Sequence, residues 1–205
     1  WDLAGPFPAI LKDEVVGPEA VRVFSDAKRM LQRLIEGRWL TANGVIGLYP
    51  ANQINEDDIA LYADESRSQT VLTWYGLRQQ TEKQVIEGEN GEKIQRPSRC
   101  LADFVAPKGV ANDYVGVFAV TAGIGAEKRE KFFQDDLDDY SSITFKALAD
   151  RLAEAFAEAL HHRVRTDLWG YAASEALSHE DMIAEKYRGI RPAPGYPACP
   201  DHSVK

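Results

Sequence analysis

The residues of this sequence best suited to hold a small ligand lie near its end, in Gly189-Ile190-Arg191-Pro192-Ala193-Pro194-Gly195-Tyr196-Pro197-Ala198-Cys199-Pro200. Arg191 offers a planar fork that matches a carboxylate, and Tyr196 an aromatic face for an adenine or a cation. Four prolines in twelve residues fix φ and remove four backbone donors, so the segment is expected to be stiff and extended, close to polyproline II. Gly195 permits a turn there that another residue would resist. A preordered backbone also exposes carbonyls that accept hydrogen bonds at little entropic cost. This chemistry fits many ligands, and composition alone leaves both a ligand site and a structural surface loop open.

Other patterns carry less. Cys199-Pro200-Asp201-His202 has the C-x-x-H spacing of half a zinc site, but no second pair stands out. Cys100 is isolated, and His161 and His162 are adjacent, so they point different ways on a helix. No metal site is expected. Gly123-Ile124-Gly125 lacks the third glycine of a dinucleotide fingerprint and reads as a turn. Asp135-Asp136 and Asp138-Asp139 lack the spacing of a calcium loop and read as an acidic helix face. No nucleophile with a base beside it is identifiable, so no catalytic residue is named.

These residues must be positioned by elements that the hydrophobic pattern outlines. Val16 to Ile35 has helical spacing, with Val23, Ala27, Met30, Leu31 and Leu34 on one side, Pro18 in the first turn and Gly37 as a stop. Strands are expected at Val45–Tyr49, closed by Pro50, at Asp58–Ala63 and at Thr70–Tyr75. A polar stretch follows, with residues 84 to 97 read as an exposed hairpin loop or a mobile insertion. Asp113–Ala122 is apolar on both faces and reads as a central strand, with Gly116 where another backbone or a ligand comes close. A long helix is expected from Ser141 to Trp169, with Leu148, Leu152, Phe156, Leu160, Val164 and Leu168 forming one buried stripe. A short helix near Glu180 to Tyr187 leads into the proline-rich tail. This order of helix, strands and then helices favours a single α+β domain over a doubly wound sheet: a central, largely antiparallel, twisted sheet flanked by helices, with one long helix in the C-terminal half.

The bulk properties set limits. The chain has 205 residues, 44% hydrophobic and 27% charged, with a formal net charge of −8. It is long enough for a sizeable core. The acidic balance argues against nucleic acid as the main partner, because such binding needs a basic face. Two cysteines make no disulfide framework, which suggests a reducing compartment. Without a membrane-length apolar run or a signal peptide, no membrane is implied and a cytoplasmic location is expected. The chain starts at Trp1 without a methionine and ends at Lys205 in a polar stretch, so both ends read as cuts through a longer polypeptide.

The string RPAPGYPACPDH (Arg191 to His202) is similar to the signature of the activation domain of cobalamin-dependent methionine synthase. So are LADFVAPK (Leu101 to Lys108), KALADRLAEAFAE (Lys146 to Glu158), DEVVG (Asp13 to Gly17) and PAN (Pro50 to Asn52), in family order, with residues 84 to 97 as the main departure. The resemblance implies a domain over residues 1–205, truncated at both ends relative to the family. It implies that the domain binds S-adenosylmethionine and presents its methyl group for reductive remethylation of cob(II)alamin. The cobalamin would be held by a neighbouring domain of the same polypeptide, and the electron would come from a flavodoxin or a diflavin reductase. The enzyme implied is a multidomain methyltetrahydrofolate–homocysteine methyltransferase, of which this chain is one part.

By the same resemblance, Arg191, Ala193, Pro194, Gly195 and Tyr196 line the ligand site, with Arg191 on the methionine carboxylate and the backbone around Ala193 on the ligand. Glu154 and Glu185 match acidic family positions near it. The family site also takes an acidic residue from upstream of Trp1 and aromatic contacts from downstream of Lys205. Glu154 lies two residues after Leu152, about 200° around a helix, and so off the buried stripe. For both glutamates an ordinary solvated helix position stays open. The competing reading is an interaction module that docks on the cobalamin domain or the reductase and binds no ligand itself.

Overall fold

The computed structural model describes residues 3–82, 85–87 and 92–202. A helix α1 (Gly17–Glu36) is followed by strands β1 (Thr41–Gln53), β2 (Ile59–Tyr62) and β3 (Thr70–Trp74). A small hairpin, β4 (Val85–Glu87) and β5 (Lys93–Gln95), precedes the long strand β6 (Asp113–Ile124). Helices α2 (Ala126–Asp135), α3 (Asp139–Arg163) and the short α4 (His179–Ile183) complete the chain. The main sheet is antiparallel, in the order β3-β2-β1-β6, and the class is α+β with a long helix in the C-terminal half, as the order of elements implied. Among the described residues no helix is long and apolar enough to cross a membrane.

The chain divides into two compact units. The first is residues 1–45 with 119–162, and the second is residues 46–118 with 163–205. In the first, Met30 and Leu34 of α1 pack with Phe133 and Phe145, and Trp39, Leu40, Leu148 and Leu152 close around them. The rings of Trp39, Phe133 and Phe145 stand 6.0–6.3 Å apart in tilted and edge-on contacts, which suit aromatic quadrupoles. Gly44 of β1 lies so near α3 that an added Cβ would sit 3.1 Å from Phe156 and 3.3 Å from Leu160.

In the second unit, Ala51, Ile59, Leu61, Cys100, Ala102 and Val105 form the core. The Leu101–Lys108 segment is a 3₁₀ turn followed by a brace beside β1: the Gln53 amide donates to Ala106 O (3.1 Å), and Lys108 returns a bond to Gln53 O (2.9 Å). Buried Asn52 donates to the carbonyls of Ala106 (3.0 Å) and Ala111 (2.8 Å), so its amide is satisfied inside the core.

Several expectations needed correction. β1 runs through Pro50 instead of ending there; its register with β2 begins one residue later, at Ala51, so the missing N–H interrupts no ladder on that side. β6 is an edge strand of the sheet, not a central one. Along it only Ala122 is fully buried, and the close approach is at Gly116, where Trp169 and Leu48 lie 3.2–3.3 Å from where a Cβ would be. α1 does stop at Gly37, its C-cap, but Gly37 stays right-handed and leaves room for the Trp39 indole, which a Cβ there would hit, and the left-handed residue is the next one, Arg38 (φ 47°). The acidic run is a junction and not a helix face: Asp136 caps α2, Leu137 turns left-handed, and Asp138 Oδ1 accepts from Ser141 N (2.9 Å) at the start of α3. Of residues 84 to 97, the hairpin strands are present as β4 and β5, and the segment between them lies outside the described residues.

Candidate functional site

The long helix does not run to Trp169 as a regular α-helix. It ends at Arg163 and continues as one π-helical turn, Val164–Leu168, closed where Trp169 N donates to Val164 O (2.9 Å), five residues back. Such wide turns recur at functional sites. The extra residue shifts the helix phase, so the predicted stripe fails at its last member: Leu168 is 42% exposed, while Arg165 is fully buried. Arg165 pairs with Glu175 through Nε to Oε2 (2.9 Å) and Nη2 to Oε1 (2.6 Å). Burial pulls on this guanidinium, but the Glu175 hydrogen bonds and charge more than offset it, and its pKa stays raised.

After α4 the chain reaches the residues of interest through a compact turn. Ser178 caps the helix by accepting from Asp181 N (3.1 Å). At the other end, Glu185 N donates to Met182 O (3.0 Å) and Lys186 N to Asp181 O (3.0 Å), the paired bonds of a Schellman motif. The position that such a motif gives to glycine is held here by Glu185, at φ 55°. An exposed glutamate in the left-handed region carries a local backbone cost that glycine would not.

The proline-rich segment is a pair of tight turns and not the extended polyproline II rod expected from its composition. Tyr196 N donates to Ala193 O (3.1 Å), Cys199 N to Tyr196 O (2.8 Å), and Gly195 N to Cys199 O (2.8 Å). Four prolines leave few donors, and three of those that remain bond back across the loop. Gly195 takes φ 98°, the turn conformation foreseen for it, and its open Cα side faces the His202 imidazole, with which a Cβ would collide. Cys199 anchors the loop inward as a buried thiol, while the Tyr196 ring stands outward, 55% exposed. Arg191 and Pro192 are half-buried, and Ala193 and Pro194 are exposed. Burial raises the pKa of Cys199, with the nearby Cys100 and Asp201 adding to the shift.

Six of the seven sequence-derived candidates, Glu185, Arg191, Ala193, Pro194, Gly195 and Tyr196, therefore lie on one short stretch of the second unit. Glu154 belongs to α3 in the first unit. It is exposed, off the stripe as its spacing required, and its carboxylate takes two 3.0 Å contacts from Arg151. Sequence reasoning missed Arg165, Glu175 and Tyr187. A charged residue inside an apolar stripe gives no sign that a π-turn will bury it, and its glutamate partner ten residues on follows no helical spacing.

The family described as Vitamin B12 dependent methionine synthase, activation domain, matches residues 1–205. Among solved structures, the chain is similar to a crystal structure of the MetH reactivation domain bound to AdoHcy. The two share 52% sequence identity with a TM-score of 0.85, over 99% of this chain and 59% of the other. The chain thus spans about three fifths of the length of that relative.

Proposed function

Because this chain belongs to the family of vitamin B12-dependent methionine synthase activation domains, we propose that it binds S-adenosylmethionine at the loop from Glu185 to Tyr196. The observation that carries this reading is the fixed loop itself. Gly195 and Cys199 close it with a 2.8 Å bond, Arg191 is half-buried, and the Tyr196 ring is open to a ligand. The donor set fits the molecule: the Arg191 fork suits the methionine carboxylate, the Tyr196 face suits adenine, and the Glu185 carboxylate suits a cationic group of the ligand. The similar reactivation domain was crystallised with AdoHcy, which is S-adenosylmethionine without its methyl group, and that supports the same ligand class here.

The function served is reductive remethylation of cob(II)alamin. Cobalamin, which a neighbouring domain would hold, would supply the methyl acceptor, and a flavodoxin or diflavin reductase would supply the electron that the reductive step needs. The methyl group leaves the sulfonium, whose carbon–sulfur bonding pair stays on sulfur, and S-adenosylhomocysteine is released. No residue of this chain needs to move a proton, because a sulfonium is already a good leaving group. Arg191 and Tyr196 hold the ligand in line, and orientation of this kind is worth several orders of magnitude in rate.

Calorimetric titration of S-adenosylmethionine into the 205-residue chain, beside Arg191→Ala, tests this reading. Saturable binding weakened about tenfold or more by the substitution is expected, consistent with about 1.5–3 kcal/mol for a charge-assisted hydrogen bond. Binding that ignores the substitution would remove Arg191 from the site.

A further inference from the structure

Between the π-helical turn and the loop that carries Arg191, side chains of residues 165–175 pack against residues 187–189. The Arg165 guanidinium grips Glu175 with two hydrogen bonds, and the two side chains are only 1% and 6% exposed. The same guanidinium lies over the buried Tyr187 ring, 4.3 Å from its centroid. Next to it, Tyr171 Oη donates to the Arg188 carbonyl (3.3 Å), and the same oxygen stands 3.1 Å from where a Gly189 Cβ would be. Gly189 is left-handed, at φ 91°. Tyr187 and Arg188 are thus contacted from one side, with Gly189 close against Tyr171, and Arg191 follows two positions later.

A buried guanidinium–carboxylate pair adds little net stability over a well-packed apolar pair, because lost hydration offsets the attraction. What it adds is direction, since two parallel bonds from a planar fork permit little rotation. We infer that Arg165, with Glu175 and Tyr187, is a positioning joint that sets where the loop leaves the core and so where the Arg191 guanidinium stands. Arg165 does not touch the ligand; it acts through Tyr187 and the backbone of residues 187–189. This inference rests on the S-adenosylmethionine site proposed above.

The test uses Arg165→Lys, which keeps the charge and loses the fork, and Glu175→Gln, which keeps the shape and loses the charge. S-adenosylmethionine is titrated into the unaltered chain and both variants. Amide exchange is followed at Gly195 and Cys199, which bond inside the loop, and along α3. Each variant should bind at least tenfold more weakly and exchange faster at Gly195 and Cys199, while α3 amides keep their protection. Unchanged affinity in folded variants overturns the inference, as does protection lost equally through α3, which marks an ordinary core role. If the unaltered chain itself does not bind, the ligand assignment falls instead, and the exchange rates at Gly195 and Cys199 still decide whether the joint holds the loop. Should Arg165→Lys not fold, Gly189→Ala leaves the ion pair intact, strains the same backbone and must produce the same tenfold loss.

Discussion

Gly195 and Cys199 close the loop between Arg191 and Pro200 on itself: the Gly195 amide donates to the Cys199 carbonyl at 2.8 Å, and the buried Cys199 side chain faces inward while Tyr196, between them, faces out. The bond depends on Gly195 being left-handed and on the space that its missing side chain leaves for His202. Gly195→Ala should therefore open the loop at a backbone cost of about 1–3 kcal/mol and weaken S-adenosylmethionine binding by tenfold or more. Calorimetry on the variant decides this, and wild-type affinity would show that the turn is not required.

Glu185 pays for its place with a left-handed backbone. Glu185→Gly should relieve about 1 kcal/mol of strain and raise the melting temperature by roughly 2–4 °C. Losing the carboxylate should weaken ligand binding at the same time. A variant that is more stable and binds as well as wild type would remove Glu185 from the site.

Arg78 and Asp103 contribute to the acid sensitivity of the second unit. Arg78 Nη1 and Nη2 each reach an Asp103 oxygen at 2.8 Å, and these hydrogen bonds hold the Asp103 carboxyl below the usual carboxylate range, helped by the Cys100 amide. The folded pKa is depressed, so this contribution is complete above the unfolded carboxylate value of about 3.9 and is lost as pH falls through the lower folded value. Urea midpoints should be level from neutral pH down to about 5 and fall below about 4, and Asp103→Asn should flatten that fall while lowering the plateau. An equal acid decline in both proteins would place the sensitivity elsewhere.

Cys100 and Cys199 should resist thiol reagents. Both are buried, and burial pushes both thiols up, which leaves little thiolate near neutral pH. Labelling with a chromogenic disulfide should be slow in the native chain and rapid in denaturant. Fast labelling of one thiol in the native state would show that the loop or the Cys100 turn opens readily.

The sequence by itself determined the class of fold and the place to look. Periodicity located α1 and the strands to within a few residues, because the 3.6 and 2.0 repeats follow from backbone geometry. The composition of Arg191 to Tyr196 marked the loop, because proline and glycine restrict φ wherever they occur.

Tertiary structure decided what local rules cannot reach. It turned the proline-rich segment back on itself, through bonds from Gly195 and Cys199 that join residues four and three apart. It set β6 at the edge of the sheet with most of its apolar side chains exposed or half-buried, which strand composition does not encode because β-branched and aromatic residues suit edge and central strands alike. It also widened the last turn of the long helix and buried Arg165 where the repeat called for Leu168. That choice needed Glu175 and Tyr187 to be in place, because a guanidinium enters a core only where charge and hydrogen bonds meet it.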